Sequence, residues 1–396
     1  DMHHDTSTSM MIEEGNVDVK DTSQPERTKL FHLLEAAWPL PVDEFLPLAY
    51  PFSPTDHVFT DARIVVREDE PSSIIAFTLD SRNYREQLAE SRNGRSDAPL
   101  TELRHADGSH YLYEFDTETI KLWCKIFFAE QFDALRHMCG CAEQFVQSLS
   151  RCFKWDSRGG KSGSAFLKTR DDRFVVKQLS RTELDGFSKF APQYFTYLAD
   201  CQSALRPTAL TKIFGYFRIG FKNTHTGRSF KMDFMVMENL LYGRSVDRIF
   251  DLKGSTRHRF VQENGQPHEV LQDENLMQLA QSSPLLVREH SKRILRTALH
   301  NDSLFLTEMN VMDYSLIMAL DTSRNKMVIG IIDYLRTYTW DKRVESFVKE
   351  TAILGGGGKG EPTIITPRQY RMRFLTFLDR NILMTPDPWI QSGWVQ

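Results

Sequence analysis

The chain has 396 residues, of which 41% are hydrophobic, so it can bury a sizeable core and divide into two lobes or domains. Its formal net charge of -4 argues against general nucleic-acid binding, which needs an excess of Lys and Arg, although a local basic face is compatible with that charge. Five cysteines without a CxxC pair indicate a reducing compartment, and the lack of a long apolar run predicts neither a membrane-spanning helix nor a signal peptide.

Residues 1–60 have the composition of a disordered or extended tail. Asp1–Thr28 is rich in Ser, Thr, Asp and Glu and has no periodic apolar residues. It therefore cannot bury enough apolar surface to offset the conformational entropy lost on folding. Leu30–Trp38 is compatible with a short helix, and the prolines between Pro39 and Pro54 favour an extended backbone. Because the first residue is Asp rather than Met, we expect the chain to be part of a longer protein.

From about residue 62 onward, local patterns predict regular structure. Apolar β-type runs predict strands, and apolar residues spaced near 3.6 predict helices. The predicted strands are Arg63–Arg67, Ser72–Ser81, Tyr111–Phe115, Thr119–Phe128, Ala165–Thr169, Arg173–Leu179, Thr211–Lys222, Arg228–Met237, Ser315–Leu320 and Met327–Ile332. The predicted helices are Glu130–Leu149, Glu183–Leu198, Asp273–Gln281, Pro284–Glu308 and Gln369–Leu383, and Tyr84–Glu102 is expected to be a short helix followed by a loop.

A glycine-rich turn precedes two of these strands. Small residues let backbone N–H groups approach phosphates closely, and Lys177 on the second strand can meet the same phosphates. The segment is not a Walker A motif, because Trp155 stands where that motif needs glycine. The alternative is a hairpin tip with a surface lysine. The residues of the candidate phosphate loop are Gly159, Gly160, Lys161, Ser162 and Gly163.

Two further segments are candidate nucleotide contacts. Glu183 opens a predicted helix, where it can pair with Lys177 as a helix acid does in protein kinases, or can be a solvated acid at a helix start. Glu238 and Asn239 follow the strand Arg228–Met237. A segment that joins two lobes can hydrogen-bond an adenine through its backbone, and a plain linker is the alternative.

Four basic side chains follow the short apolar run that begins at Ile249, and they are Lys253, Arg257, His258 and Arg259. Crowded cations cost electrostatic energy unless an anion binds nearby. The pattern therefore leaves two interpretations open, a phosphate-binding loop and a solvated charged loop.

Two acids flank the predicted hairpin of Ser315–Leu320 and Met327–Ile332. Asp313 stands just before the first strand and Asp333 just after the second, so antiparallel pairing holds both carboxylates at the same end of the ribbon. Such a pair suits phosphoryl transfer, because one carboxylate can orient a hydroxyl and accept its proton while the other holds Mg²⁺. Ordinary acids at strand ends are the alternative.

An amphipathic segment follows at Thr339–Lys349. Its apolar residues, including Trp340, have helical spacing, and Lys342 and Arg343 lie between them. Such a segment can place its apolar face in a membrane interface while its cations meet anionic headgroups, or it can pack against the core of its own protein.

Several motifs in this order resemble those of the phosphatidylinositol phosphate kinase family. They are MDYSL at 312–316, DLKGS at 251–255, IIDY at 331–334 and the GGKSGS…VVKQ pair. Longer phrases resemble the PIKfyve branch of that family over residues 60–390. They are VREDEPSSIIAF at 66–77, GGKSG at 159–163, VMENLLYGR at 236–244, RTYTWDKR at 336–343 and TAILGGGGK at 351–359.

The resemblance implies an α+β, two-lobed, protein-kinase-like fold with an antiparallel-sheet N-lobe at residues 61–238 and a mainly helical C-lobe at 239–396. ATP would bind between the lobes, the N-lobe would carry the glycine loop, and the C-lobe would carry the catalytic loop and activation segment. It further implies site roles: Lys177 contacts nucleotide phosphates, Asp313 is the catalytic-loop acid, Asp333 binds Mg²⁺, Lys253 meets the transferred phosphoryl group, Arg259 fixes the loop or substrate, and Lys342 with Arg343 holds the lipid headgroup.

The chain also departs from known patterns. It lacks the HRD, DFG and APE motifs of protein kinases, and Met318 stands where a second metal-binding Asn would be expected. The second Mg²⁺ ligand is therefore unassigned. Lys342-Arg343 replaces the usual Lys-Lys pair of the activation segment, which keeps the charge.

The implied activity is phosphorylation of the 5-hydroxyl of phosphatidylinositol 3-phosphate with ATP and Mg²⁺. The implied location is peripheral, on the cytosolic face of endosomal membranes, with scaffold and phosphatase subunits bound through other parts of a longer protein and no nucleic-acid partner. The alternatives are a catalytically silent phosphoinositide-binding scaffold and a Ser/Thr protein kinase.

Overall fold

The computed structural model describes residues 53–60, 62–92, 99–105, 108–155, 165–266, 269–335 and 366–386. Its helices are α1 Ser72–Asp80, α2 Arg82–Arg92, α3 Pro99–Leu103, α4 Ala129–Met138, α5 Ala142–Ser150, α6 Arg181–Ser203, α7 Asp273–Ser282, α8 Glu289–Glu308 and α9 Pro367–Asn381. Its strands are β1 Asp56–His57, β2 Val66–Arg67, β3 Tyr111–Asp116, β4 Ile120–Ile126, β5 Cys152–Trp155, β6 Phe166–Thr169, β7 Phe174–Gln178, β8 Ile213–Asn223, β9 Ser229–Glu238, β10 Arg248–Leu252, β11 Val270–Leu271, β12 Leu285–Arg288, β13 Ser315–Asp321, β14 Lys326–Ile332 and β15 Ile382–Thr385.

The larger sheet has the strand order β3-β4-β8-β9-β7-β6-β5, and each neighbouring pair is antiparallel. Its alternating side chains put one face against α4 and α6, where aromatic rings fill the space between helix and sheet. Phe187 on α6 stacks on Tyr216 of β8 with ring centroids 4.6 Å apart, and Phe132 on α4 lies against Phe195 of α6 at 5.0 Å. The sheet holds Lys177 on β7 opposite Met235 on β9.

The smaller sheet has the order β11-β10-β13-β14, in which β13 and β14 form the hairpin that the sequence predicts. The pairing of β10 with β13 is also antiparallel, whereas the short β11 runs parallel to β10. The segment before β8 joins this sheet, because Ile331 on β14 donates its backbone N–H to Ala209 at 2.6 Å and accepts one from Thr211 at 3.0 Å. These bonds fix the end of β14 to the segment that leads into β8 of the larger sheet.

A buried carboxylate braces this junction. Asp302 on α8 accepts hydrogen bonds from the hydroxyls of Tyr197 at 2.6 Å and Thr208 at 2.8 Å, and from the backbone N–H of Ala209 at 2.6 Å. Burial raises the pKa of Asp302 although these donors oppose the shift. Asp302 therefore holds α6, α8 and the segment that bonds β14 in one arrangement.

The predicted strand Ser72–Ser81 is wrong, because this stretch forms helix α1. Ser72–Leu79 is buried along its whole length. A helix that is buried on every side shows no 3.6 period, so its apolar run of Ile and Phe resembles a strand in sequence. At the end of the segment predicted to be disordered or extended, Asp56–His57 forms the strand β1, which pairs with β2.

The predicted helix Glu130–Leu149 is two helices, α4 and α5. The backbone of Gly140 has φ +69°, which is the left-handed conformation that ends a helix and favours glycine. The apolar spacing continues across this break because both helices pack on the same core, so periodicity alone could not locate it.

In two predicted helices in the second half of the chain, a few residues at one end form a strand instead. Pro284–Glu308 consists of β12 followed by α8, and Gln369–Leu383 ends in β15. The two strands pair with each other in parallel, with Leu285 opposite Ile382. The two strands lie about a hundred residues apart in the chain, so the local sequence pattern carries no signal for their pairing.

The fold is therefore mixed α/β, with a fully antiparallel larger sheet and a mostly antiparallel smaller one. From residue 54 onward the chain forms a single unit of contacts, so the predicted boundary between residues 238 and 239 stays a prediction. All five cysteine thiols are free. Among the described helices, each is too short or too polar to pass through a bilayer.

Candidate active site

Three chain segments reach the same end of the smaller sheet. In the β13–β14 hairpin Ser315 lies opposite Ile332, so Asp313 and Asp333 stand at one end of the ribbon, as the sequence predicts. Strand β10 pairs Leu252 with Leu316 of β13, which brings Lys253 out at that end as well. Strand register alone thus gathers two carboxylates and an ammonium group.

Lys253 is bonded to Asp313. Its Nζ donates to Asp313 Oδ1 at 2.7 Å and to the Asp313 carbonyl oxygen at 2.8 Å. The Asp313 side chain is 47% exposed, whereas that of Lys253 is 21% exposed. The carboxylate therefore has access to a substrate while the ammonium beside it is held in place.

Lys177 reaches the site from the larger sheet. Its Nζ lies 3.1 Å from Asp333 Oδ1 and 3.2 Å from Glu183 Oε1. The lysine is 4% exposed, so its charge is stabilised mainly by these two carboxylates. The structure thus joins β7, α6 and the end of β14 through one ammonium group.

Glu183 pairs with Lys177, as one of the two interpretations predicted, and it is not the solvated acid of the other, because its side chain is only 11% exposed. Besides pairing with Lys177, it accepts the backbone N–H and hydroxyl of Ser180 at 2.9 Å each, which completes a capping box at the start of α6. Burial of Glu183 opposes its ionisation, but the Lys177 charge and the Ser180 bonds outweigh burial and lower its pKa.

We expect the Lys177–Glu183 pair to make the stability of the fold depend on pH in the acidic range. Because the folded-state pKa of Glu183 is lowered, the pair stabilises the fold above the unfolded value of about 4.3, and this contribution is lost as the pH falls through the folded-state pKa. Glu183→Gln should therefore lower Tm at pH 7 and lower it less at pH 3.5, as measured by circular dichroism melts. A Tm difference that is the same at both pH values would contradict this.

A cleft opens beside Lys177 and Asp333. Its walls are mostly apolar, which suits a nucleotide base next to charged groups. The sequence analysis did not identify Thr211, whose Oγ1 is buried and has no hydrogen-bond partner in the described chain. The lining residues are Lys177, Thr211, Ile213, Met235, Met237, Ile332, Asp333, Tyr334 and Leu335.

Glu238 and Asn239, the predicted adenine contacts, are at the end of β9 but do not line this cleft. Their backbone N–H groups donate at 3.0 Å to the carbonyl oxygens of Lys212 and Arg173. An adenine in the cleft would find these two donors already bonded, and it would lie against the neighbouring Met237. Their role in ATP binding stays a prediction.

The turn after β10 is fixed by a buried acid that sequence reasoning missed. Asp273 at the start of α7 is fully buried, and its Oδ1 accepts the backbone N–H groups of Lys253, Gly254 and Ser255 at 3.0, 2.7 and 3.2 Å. The only sequence signal was an acid in the first turn of a helix, which usually indicates capping of its own helix.

Arg259 completes this turn. Its Nε lies 2.5 Å from Asp273 Oδ2, and its Nη2 lies 3.1 Å from Asp251 Oδ1. Of the two implied roles of Arg259, the geometry supports fixing the loop. Arg257 and His258 are exposed instead, so the four cations divide into an inner and an outer pair.

Gly254 allows a close approach between this turn and α9. It has φ +72°, and a Cβ there would lie 2.7 Å from Phe374 Cα. We expect Gly254→Ala to lower the free energy of unfolding by about 2 kcal/mol or more, measured by urea denaturation. Gly243→Ala is the matched control, since Gly243 has φ +66° with open space around it. Equal losses in the two variants would show that the contact with α9 is not the cause.

The remaining predicted site residues lie outside the described part of the chain. The phosphate-loop residues Gly159, Gly160, Lys161, Ser162 and Gly163 are among them, as are Trp340, Lys342 and Arg343. Within the described residues, no group of three or more His, Cys, Asp or Glu side chains could hold a metal ion.

Comparisons of the sequence with known proteins identify its family. A family model for Phosphatidylinositol-4-phosphate 5-Kinase matches residues 148–328 and 321–381. The 1-phosphatidylinositol 3-phosphate 5-kinase FAB1 of Saccharomyces cerevisiae is 40% identical, over 95% of this chain and 20% of its own length. The human 1-phosphatidylinositol 3-phosphate 5-kinase is 44% identical, over 74% of this chain and 14% of its own length.

A third relative, the 1-phosphatidylinositol-3-phosphate 5-kinase FAB1A of Arabidopsis thaliana, is 38% identical over 85% of this chain and 22% of its own length. The chain thus spans between 14% and 22% of the length of these curated relatives. The matched family region contains both ion pairs, Lys177–Asp333 and Lys253–Asp313. With more than half of its residues matched by the family model and the motif resemblance confirmed, the chain belongs to the phosphatidylinositol phosphate kinase family, on its PIKfyve branch.

Proposed function

We propose that this chain is the catalytic part of a lipid kinase that transfers the γ-phosphate of ATP to the 5-hydroxyl of phosphatidylinositol 3-phosphate, giving phosphatidylinositol 3,5-bisphosphate. The observation that carries the proposal is the placement of the Lys177–Asp333 and Lys253–Asp313 pairs at one end of the smaller sheet, next to the cleft. The names of the relatives support the choice of lipid.

Asp313 and Lys253 are the residues we assign to the reacting hydroxyl and phosphoryl group. The accessible Asp313 carboxylate orients the 5-hydroxyl and accepts its proton during transfer. Lys253, which bonds Asp313 at 2.7 Å, faces the negative charge on the transferred phosphoryl group. The transition state of such a transfer is loose and anionic, so positioned cations contribute more than a strong base does.

Lys177 and Asp333 are assigned to the nucleotide. The ammonium of Lys177 contacts ATP phosphates while Glu183 keeps it in position. Mg²⁺ in nucleotide sites takes oxygen ligands from one or two carboxylates together with the phosphates, and Asp333 fits that requirement because it is exposed at the edge of the cleft. When bound there, Mg²⁺ would neutralise charge on the phosphates.

The proposal includes a two-lobed, protein-kinase-like arrangement. The larger sheet would belong to the N-lobe with the phosphate loop at Gly159–Gly163, and the smaller sheet with α7, α8 and α9 would belong to the C-lobe. The position of the cleft supports this division, since its lining residues come from both sheets.

The proposal extends to the membrane. Trp340, Lys342 and Arg343 would hold the enzyme and the lipid headgroup at a bilayer surface through one apolar and two basic side chains. We place the protein as a peripheral component on the cytosolic face of endosomal membranes. Scaffold and phosphatase subunits would bind through other parts of a longer protein.

The decisive experiment incubates the purified chain with radiolabelled ATP, Mg²⁺ and vesicles that contain phosphatidylinositol 3-phosphate. Thin-layer separation with positional-isomer standards should identify labelled phosphatidylinositol 3,5-bisphosphate. Vesicle binding without any labelled product would favour a catalytically silent scaffold. Labelling of Ser/Thr peptides in the absence of lipid would favour a protein kinase.

We expect Lys342→Glu/Arg343→Glu to reduce activity on vesicles at least about 30-fold, because each basic side chain near an anionic surface contributes about 1 kcal/mol. Labelling of a soluble inositol phosphate headgroup should change much less. Lys326→Glu, at the first residue of β14 and so at the far end of the ribbon, is the matched control. Equal losses on vesicles and on the soluble headgroup would argue against a membrane role for the pair.

A further inference from the structure

Helix α9 brings a basic residue, Arg373, against the turn that follows Lys253. A Cβ on Gly254 would lie 3.0 Å from the carbonyl oxygen of Arg373 and 2.7 Å from Phe374 Cα. The backbone of α9 therefore touches the residue next to a proposed catalytic lysine. None of the sequence motifs assigns a role to this arginine.

Arg373 has no acidic partner within the described chain. Its Nε is buried without a hydrogen-bond acceptor there, and its guanidinium lies over the ring of Tyr370, 5.1 Å from the centroid. Arginines nearby are satisfied: Arg259 pairs with two aspartates, and Arg371 on the same helix bonds Ser303 and His300. A buried guanidinium N–H without an acceptor is costly. Arg373 as a whole residue is only half-buried, so an anion from outside can approach this side chain.

Tyr370 connects Arg373 to the reacting groups. Its hydroxyl donates to the carbonyl oxygen of Tyr314, the residue after Asp313. Burial raises the pKa of Tyr370 well above its usual value, the Asp313 charge raises it further, and the charges of Arg373 and Arg259 oppose the shift. The tyrosine thus lies within the electrostatic range of Asp313 on one side and of Arg373 on the other.

We propose that Arg373 binds the phosphate monoester that the lipid headgroup already carries before the reaction. The inference rests on the proposed function and names its substrate contact. Arg373 does not line the cleft beside Lys177 and Asp333, so it is not a contact of a base bound there, and we assign it to the lipid rather than to ATP. A planar guanidinium can donate two parallel N–H···O bonds to the oxygens of a phosphate monoester. A phosphodiester or a hydroxyl is a poorer acceptor for such a pair of bonds.

The test compares Arg373→Ala and Arg373→Lys with Arg380→Ala, which removes an exposed arginine from the last turn of the same helix. Arg373→Ala should raise KM for phosphatidylinositol 3-phosphate in vesicles by about 10- to 100-fold, as expected for the loss of a charge-assisted pair, and leave KM for ATP within about twofold. Arg373→Lys should recover part of the loss, because an ammonium keeps the charge without the fork. Arg380→Ala should match the wild type.

A second arm measures binding of inositol 1,3-bisphosphate, inositol 1-phosphate and inorganic phosphate by isothermal titration calorimetry. Selective binding of the bisphosphate, abolished by Arg373→Ala, would support the subsite. If the wild type bound the bisphosphate in this way but made no lipid product, the proposed function would be wrong and the subsite would stand. Active enzyme with an unchanged lipid KM in Arg373→Ala would overturn the subsite and leave the function standing. Equally tight binding of inorganic phosphate, or a lower kcat and Tm without a change in KM, would overturn it as well.

Discussion

Asp313→Asn is expected to lower kcat for lipid phosphorylation at least about 100-fold, which is the usual contribution of a positioned general base. Asn keeps the size of the side chain and can still accept a bond from Lys253 through its oxygen, so the loss would come from the missing proton acceptor. The left-handed backbone of Asp313, φ +65°, also tolerates Asn better than other residues. Initial rates with radiolabelled ATP and phosphatidylinositol 3-phosphate vesicles measure the effect.

The matched control for this variant is Asp172→Asn. Asp172 has φ +63° in the turn between β6 and β7, and its carboxylate pairs with Lys168. It therefore tests the same chemical change at the same backbone conformation, away from the Lys253–Asp313 pair. Comparable rates for Asp313→Asn and the wild type would remove the proposed role of Asp313 and return the hairpin acids to ordinary strand-end residues.

Asp273→Ala is expected to lower the free energy of unfolding by about 3 kcal/mol or more. The substitution removes the acceptor of three backbone N–H groups and one partner of Arg259, all in or beside a buried turn. The variant would leave three backbone N–H groups without their acceptor and Arg259 with Asp251 as its remaining carboxylate partner, and unsatisfied groups in a buried turn are costly. Urea denaturation followed by circular dichroism measures the loss.

Glu274→Ala supplies the comparison for Asp273→Ala, because it removes another acid from the same first turn of α7. A stability loss of the same size in both variants would mean that the effect comes from helix capping rather than from the Lys253 turn. We also expect Asp273→Ala to lose lipid kinase activity under conditions where it stays folded, since the backbone that carries Lys253 would no longer be held.

The parts of the site predicted from sequence share a physical property: each follows from local pattern. The hairpin β13–β14 has two apolar runs and a polar turn, and register then fixes the positions of Asp313 and Asp333 without any further information. Lys177 could be placed on a strand for the same reason. The pairing of Lys177 with Asp333 across 156 residues could not be derived from either segment alone.

Long-range and fully buried features escaped the sequence analysis. Helix α1 is buried on every side from Ser72 to Leu79, so periodicity could not distinguish it from a strand. Asp273 acts through backbone N–H groups, which are the same for every residue type and leave no pattern in the sequence. Arg373 is of interest because its Nε has no hydrogen-bond acceptor among the described residues, and a sequence cannot show the absence of such a contact.

The pairing of β12 with β15 sets a limit on how far the chain can be shortened for expression. Ile382 is fully buried, and its carbonyl oxygen accepts a bond from Lys292 Nζ at 2.7 Å. A recombinant fragment that stops at the end of α9 would expose Leu285 along with the apolar side of α8, and it would aggregate or be degraded during purification. Fragments for crystallisation or for screening of inhibitors should therefore extend at least through Thr385.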